Sequence, residues 1–350
     1  MKVGIVLDGR RSPSEVAELA QRAEAAGLAH LWLGAGARTK DHFVRLSVAA
    51  AATRRIQIGA IAVSPFEMHP AQLAISLLTL DELSGGRASV VIGAGGDFTA
   101  TLGVPKRGRV DAVSDCLDVV RAMATGGEIR YAGTRTRIEG LMSPWRDVAM
   151  DRVYLAANRP RMLALAAAKA DGVMLSDAPL AAIDTPIRRV RGALTRGAHR
   201  ANAFRFSNWF VWNVQDSLAE ARRLARRLLG FRLYYIRDVA GAIGIAPEDA
   251  DMLARRHPEM VRSVLRGETS WLPAEPITER LIDHLTLTAD RRGLDGCVER
   301  LLEFERRGLT EIALAPHGNA AEAITLIGQA VVPNVQGLTG EDDVASRPGA

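Results

Sequence analysis

The sequence predicts a single (β/α)8 TIM barrel with a helical insertion after the seventh strand. Short β-branched runs alternate with amphipathic helical stretches, and eight such pairs follow one another along the chain. No GxGxxG follows the first strand and no Walker motif appears, so the signatures of a doubly wound nucleotide fold are missing. No Pro/Gly/Ser-rich linker divides the 350 residues. The expected organisation is one domain over residues 1–336, including an insertion at about 230–285, followed by a disordered acidic tail at 337–350.

Each element has a local reason. Lys2–Asp8 is a continuous apolar run and reads as the first strand. Ser12-Pro13-Ser14-Glu15 then predicts a helix start, with Ser12 as N-cap, Pro13 at the first helical position and Glu15 closing a capping box; Gly27 stops that helix. His30–Gly34 is the second strand, Asp41–Arg54 a helix and Ile56–Val63 the third strand. The helix Pro70–Leu83 ends at Ser84-Gly85-Gly86, and Ala88–Gly93 is the fourth strand. Arg109–Ala124 is helical, and Glu128–Gly140 reads as a small hairpin turning near Ala132-Gly133-Thr134. Arg152–Ala156, Gly172–Leu175, Phe204–Asn213 and Glu311–Ala315 are the remaining strands. Helices at 159–169, 179–195, 217–229, 294–307 and 320–331 separate or follow them, and 233–282 is mostly helical and interrupted.

Composition narrows the class of function. The apolar fraction of 48% and charged fraction of 24% suit a soluble globular chain. No run reaches the roughly 18 apolar residues of a membrane span, and Met1–Asp8 reads as a strand and not as a signal peptide, so a cytoplasmic protein is expected. The formal charge of +5 comes almost wholly from arginines spread along helices, without the basic-aromatic clustering of a nucleic-acid surface. Cys116 and Cys297 fall inside helical patterns without CxxC spacing and read as small core residues. No HExxH, clustered Cys/His or paired carboxylates point to a metal.

The chemistry-bearing stretch runs from Phe43 to Gly96. It holds Ala51–Gly59, His69-Pro70-Ala71, Thr79–Arg87 and Ile92-Gly93-Ala94-Gly95-Gly96. Further on come Gly126-Gly127-Glu128, Tyr154-Leu155-Ala156-Ala157-Asn158, Ala170-Asp171-Gly172-Val173 and Gly293–Val298. In order and spacing these segments resemble the bacterial-luciferase-like superfamily of flavin and deazaflavin oxidoreductases, and most closely its methylenetetrahydromethanopterin reductase-like branch. The resemblance spans nearly the whole chain. It implies an oxidoreductase that binds coenzyme F420, with FMN as the alternative cofactor, and works on a small organic substrate. It also implies a homodimer, and leaves room for a separate flavin or deazaflavin reductase as partner.

Three strand ends are the expected cofactor contacts. At the third, Gly59, Ala60, Ile61 and Ser64 offer small side chains and backbone groups to a planar ring. The resemblance implies a bulge there with a non-prolyl cis peptide at Ala60–Ile61 or an adjacent bond. At the fourth, Gly93, Ala94, Gly95 and Gly96 allow close backbone approach. At the fifth, Asn158 and Arg159 open a helix whose free N–H groups favour phosphate. The candidate catalytic groups are Asp97 beside the glycines, His317 after the eighth strand, and His42 after the second. His69 either caps the following helix or lines the pocket, whereas Asp81 and Arg87 belong to the opposite, structural end of the barrel. Of Trp209 and Trp212, opposite strand orientation brings one to the pocket, and Tyr234 with Tyr235 are candidate lid residues. Many relatives place Asp-His where this chain has Ala35-Gly36, and an Arg where it has Met68. The readings that follow are an F420-dependent hydride-transfer enzyme, an FMN-dependent monooxygenase using reduced flavin and oxygen, and a flavin-binding barrel without turnover.

Overall fold

The computed structural model describes residues 1–34, 39–96, 99, 102–104, 107–194, 203–268 and 272–335. Its strands are β1 (Lys2–Leu7), β2 (His30–Gly34), β3 (Gln57–Val63), β4 (Ala88–Ile92), β5 (Gly126–Ala132), β6 (Arg137–Arg146), β7 (Val153–Ala156), β8 (Gly172–Ser176), β9 (Arg205–Gln215), β10 (Thr286–Asp290) and β11 (Glu311–Pro316). Eight of them close into a parallel ring in the order β1-β2-β3-β4-β7-β8-β9-β11, with β11 returning to β1. This is the predicted (β/α)8 barrel.

Strand β9 performs the closure. Arg205–Trp209 pair with β8, and Ser207–Trp212 pair with β11. Past the end of β8, Val211–Gln215 offer their free edge to β10 and pair with it. Strand β10 was not expected from the sequence: Thr286–Asp290 has no place in the ring and exists by adding to the overhang of β9. Strands β5 and β6 form the expected antiparallel hairpin, which extends further than predicted, to Arg146. Asp115 holds its turn by accepting from the N–H groups of Arg135 and Thr136 at 2.6 and 2.8 Å.

The helix boundaries follow local chemistry. Ser12 caps the helix Pro13–Ala25, and the reciprocal Glu15 bond completes the capping box. His69 caps the helix Pro70–Ser84 by accepting from the N–H of Ala71 at 3.2 Å. Gly85 ends that helix in the left-handed region, with φ of 66°. Arg87 is buried at the N-terminal end of the barrel and donates to the carbonyls of Ala50, Thr53, Ile56 and Ser84. Beside it, Asp81 accepts from the N–H of Ala88 at 3.1 Å. Cys116 and Cys297 are free and buried on helices. The segment between β9 and β10 carries the helices Ile236–Val239, Pro247–Arg266 and Glu275–Leu285, whose apolar faces gather into a core of their own around Leu233, Leu253 and Leu281. No helix among the described residues is long and apolar enough to cross a membrane. The tail expected at 337–350 lies outside the described residues.

Strand alternation sorts the side chains. Val3, Ile5, Leu31, Leu33, Ala60 and Val90 face the helices, whereas Val6, Trp32, Ile61, Val91, Tyr154 and Met174 fill the barrel. The filling is bulky low down. Trp32 stacks on His30 with ring centroids 5.6 Å apart, and meets Tyr154 edge-on at 5.6 Å. Tyr154 donates to the buried Glu311 at 3.0 Å, and Arg205 lies 3.7 Å from the same carboxylate. Burial holds Glu311 above the usual carboxylate range and drives His30 down to about 3, so this imidazole stays neutral. Glycines make the room: a Cβ on Gly59 would lie 2.4 Å from the Trp32 ring, and one on Gly172 would lie 2.6 Å from Tyr154. Gly59→Ala and Gly172→Ala are therefore expected to destabilise the barrel by about 1–3 kcal/mol each through overpacking. Chemical denaturation checks this; unchanged midpoints would mean that the rings have room to move.

Candidate functional site at the barrel mouth

Toward the C-terminal ends of the strands the interior changes from rings to small groups. Ala62 from β3, Gly93 after β4 and Ala156 from β7 meet there. A Cβ on Gly93 would lie 3.2 Å from the Ala62 methyl and 3.5 Å from that of Ala156. These three residues form a shallow floor that any larger side chain at 93 would fill. Strand β3 bulges between Ile61 and Val63, and the Ile61–Ala62 peptide is cis, one bond beyond Ala60–Ile61. The bulge turns Ala62 inward beside Ile61.

The glycine loop after β4 closes over this floor. Gly95 has φ of 75°, and a Cβ there would lie 2.1 Å from the Thr99 hydroxyl and 3.1 Å from that of Ser64. Ser64 is buried and accepts from the N–H of Phe66 at 3.2 Å; Thr99 donates to Glu67 at 2.6 Å. Gly96 is exposed at the rim. The structure thus brings together Ile61, Ser64 and Gly93–Gly96. Gly59 and Ala60 stand apart from them: Gly59 lies lower in the barrel against Trp32, and Ala60 faces the helices.

The fifth barrel strand leads to a different use of Asn158. Its amide donates to the Ser176 carbonyl at 2.8 Å and to the Tyr234 hydroxyl at 2.9 Å, and its carbonyl accepts from the Ser176 N–H at 3.0 Å. Both amide hydrogens are engaged, so Asn158 is a strut between β7, β8 and the segment after β9. Arg159 is exposed at the start of the helix Pro160–Lys169 and lies 3.1 Å from Asp238. Its side chain leaves that helix start uncapped, so the first N–H groups are open to an acceptor.

Of the candidate catalytic groups, Asp97 lies outside the described residues, as do Ala35 and Gly36. His42 is the first residue of the helix His42–Ala52, tilted against Phe43, with Nε2 sealed from solvent and without a hydrogen-bond partner. Burial lowers its pKa. His317 follows β11 at the mouth. It is buried, its Nδ1 has no hydrogen-bond partner among the described residues, and its backbone joins Trp212 and Gln215 at 2.8 and 2.9 Å. Burial, then the positive charge of Arg232, lowers its pKa to about 3. Of the two tryptophans, Trp209 packs with the barrel interior and Trp212 with the outer layer.

An acid–cation pair completes this side of the mouth, and sequence reasoning did not single it out. Asp177 follows β8 with φ of 53° and is buried. Arg232 donates to both of its oxygens at 3.2 Å and lies over the Trp209 ring at 5.4 Å. Tyr235 donates to the Asp177 carbonyl, and Tyr234 to the Ser176 carbonyl at 2.7 Å. Burial raises Asp177 to about 6 against the opposing pull of Arg232. Nothing in the spacing ties Asp177 to Arg232, which lies 55 residues further on, in the turn Leu229–Arg232 after the helix Leu218–Leu228. Among the described residues, no group of three or more His, Cys, Asp or Glu side chains is placed to hold a metal.

Comparison with known proteins gives a consistent relationship. A family model described as luciferase-like monooxygenase matches residues 1–311. The 5,10-methylenetetrahydromethanopterin reductase of Archaeoglobus fulgidus is 24% identical over 343 residues, covering 96% of this chain and 100% of its own. Among solved structures, the coenzyme F420-dependent tetrahydromethanopterin reductase of Methanopyrus kandleri superposes with a TM-score of 0.81 at 21% identity, covering 95% of this chain and 98% of its own. An F420-dependent secondary alcohol dehydrogenase in complex with an F420–acetone adduct gives a TM-score of 0.77 at 15% identity, again covering 95% and 98%. At these identities the structural likeness is one of fold.

The raised pKa of Asp177 carries a sign. Its contribution to folding is complete below the ordinary carboxylate pKa and is lost as pH rises through about 6. Between about pH 4 and about pH 7 the wild-type denaturation midpoint is expected to fall relative to that of Asp177→Asn, whose side chain does not titrate. Parallel pH profiles would mean that Arg232 holds Asp177 at an ordinary value.

Proposed function

Because the chain belongs to the luciferase-like monooxygenase family, we propose that it is a coenzyme F420-dependent oxidoreductase that moves a hydride to or from a small organic substrate at the barrel mouth. The observation that carries this reading is the small-residue floor of Ala62, Gly93 and Ala156, a cradle that a single Cβ at 93 would fill. It fits the flat face of a tricyclic ring. The matching reductases support a deazaflavin over FMN, since two of the similar proteins bear F420 in their names.

When bound, a deazaflavin supplies the hydride-accepting or hydride-donating carbon. The chain supplies the rest. Ile61 and Ala62 present backbone groups at the bulge, and Gly95 with Gly96 bring main chain to the ring edge without side-chain obstruction. The open N–H groups at the start of the helix Pro160–Lys169, with Arg159 beside them, suit an anionic tail. Tyr234, pinned by Asn158 and Ser176, limits water access at one edge. Burial keeps the His317 imidazole neutral, so at the mouth it offers an uncharged hydrogen-bonding group.

Titration of the purified protein with coenzyme F420 and with FMN, followed by tryptophan fluorescence quenching, tests the cofactor. F420 is expected to bind at least about tenfold tighter than FMN, and Gly93→Val to weaken F420 by at least about tenfold in protein that circular dichroism shows to be folded. FMN binding alone would favour the monooxygenase reading, and an unaffected Gly93→Val would remove the floor from the site.

A further inference from the structure

The mouth has two unlike sides. The side made by β3, β4 and β7 is small and apolar. The side made by the ends of β8, β9 and β11 carries nitrogen atoms that lack hydrogen-bond partners. Trp209 Nε1, Arg232 Nε and His317 Nδ1 are each sealed from solvent and make no hydrogen bond among the described residues. They belong to one cluster. Arg232 lies over the Trp209 ring at 5.4 Å, its charge bears on His317, and His317 is anchored to β9 through the Trp212 carbonyl.

Losing water without gaining a partner costs each of these groups free energy, so such atoms rarely collect by accident. Their chemistry narrows what would satisfy them. Indole and guanidinium nitrogens only donate, and an imidazole nitrogen donates in one tautomer. The complement is a group that only accepts, with several lone pairs on one plane. Arg232 is already paired with Asp177, whose buried carboxyl is raised to about 6 and can take up a proton, so the site balances one added negative charge but not the two of a phosphate dianion.

We propose that this nitrogen-lined side of the mouth binds the carboxylate of an organic acid substrate, with Arg232, Trp209 and His317 as its donors. The proposal rests on the oxidoreductase reading only for the word substrate; the binding site itself is independent of the cofactor. Because the three nitrogens are sealed, the carboxylate enters as the segment Leu229–Tyr235 lifts from the end of β8 and is held when the segment returns with Arg232 over Trp209. That segment is held there by side chains alone: Arg232 and Tyr235 on Asp177, and Tyr234 on Ser176 and Asn158. An ordered water bridging the three donors is the competing occupant.

Benzoate and its neutral isostere benzamide are the probes, titrated against the full chain by calorimetry with and without saturating coenzyme F420. Benzoate is expected to bind at least about tenfold tighter than benzamide. Trp209→Phe keeps an aromatic ring under Arg232 while removing the indole N–H together with part of the ring's bulk; it is expected to weaken benzoate several-fold and to leave benzamide and F420 unchanged. Arg232→Gln is expected to abolish the preference for the acid. Equal affinity for the two probes, no binding of either, or a Trp209→Phe protein with unaltered benzoate affinity would overturn the site and leave a water there. Preference for benzoate without F420 binding would sink the cofactor reading and keep the carboxylate site; F420 binding without that preference would do the reverse.

Discussion

A closed ring of eight strands has one interior to fill, and here two large rings fill it from below. Trp32 and Tyr154 meet edge-on where Gly59 and Gly172 give up their side chains to admit them. Everything above depends on that arrangement. With the lower barrel plugged by aromatic rings and by the Tyr154–Glu311 bond, the side of the upper barrel made by β3, β4 and β7 is left to small side chains. Ala62, Gly93, Ala156 and Ala315 leave a mouth with a firm base. Packing a barrel as a solid core and opening it only at the C-terminal face is the general solution for this fold.

Much of the ring was legible in the sequence, because each strand is a short apolar run bounded by a cap or a glycine. Ser12 with Glu15, His69-Pro70 and Gly85 mark boundaries through local hydrogen bonds, which sequence spacing encodes directly. What local chemistry does not encode was missed. Thr286–Asp290 becomes a strand only because β9 runs past the end of β8 and offers it an unpaired edge. Along β3, the register places Gly59 opposite Trp32, which the run 59–64 read alone does not reveal. Small residues there serve two purposes, packing at Gly59 and an open floor at Ala62.

The site divides the same way. The glycines after β4 announced themselves, since positive φ at Gly95 and a crowded Cβ position are what glycine is for. Asn158 was legible as important, but its amide is engaged by Ser176 and Tyr234. Asp177 and Arg232 carried no local signal. Their pairing depends on the turn Leu229–Arg232 folding back over the end of β8, a contact between segments 55 residues apart.

That contact also explains how a loop wall stays in register with a rigid barrel. Asp177 sits in the left-handed region, a conformation aspartate tolerates better than most residues. The position is over-determined from both sides. Its N–H donates to the Trp209 carbonyl, its carbonyl receives Tyr235, and its carboxylate receives Arg232. A buried carboxylate is costly, and a buried guanidinium without a partner more so, so each holds the other in place. Among the described residues, the hydrogen bonds between this wall and the end of β8 all pass through side chains and none through a ladder of main-chain bonds, so the wall and the ring are separate units of the fold. A floor of small residues set in the ring therefore stands beside a charged wall that is fastened to it by side chains.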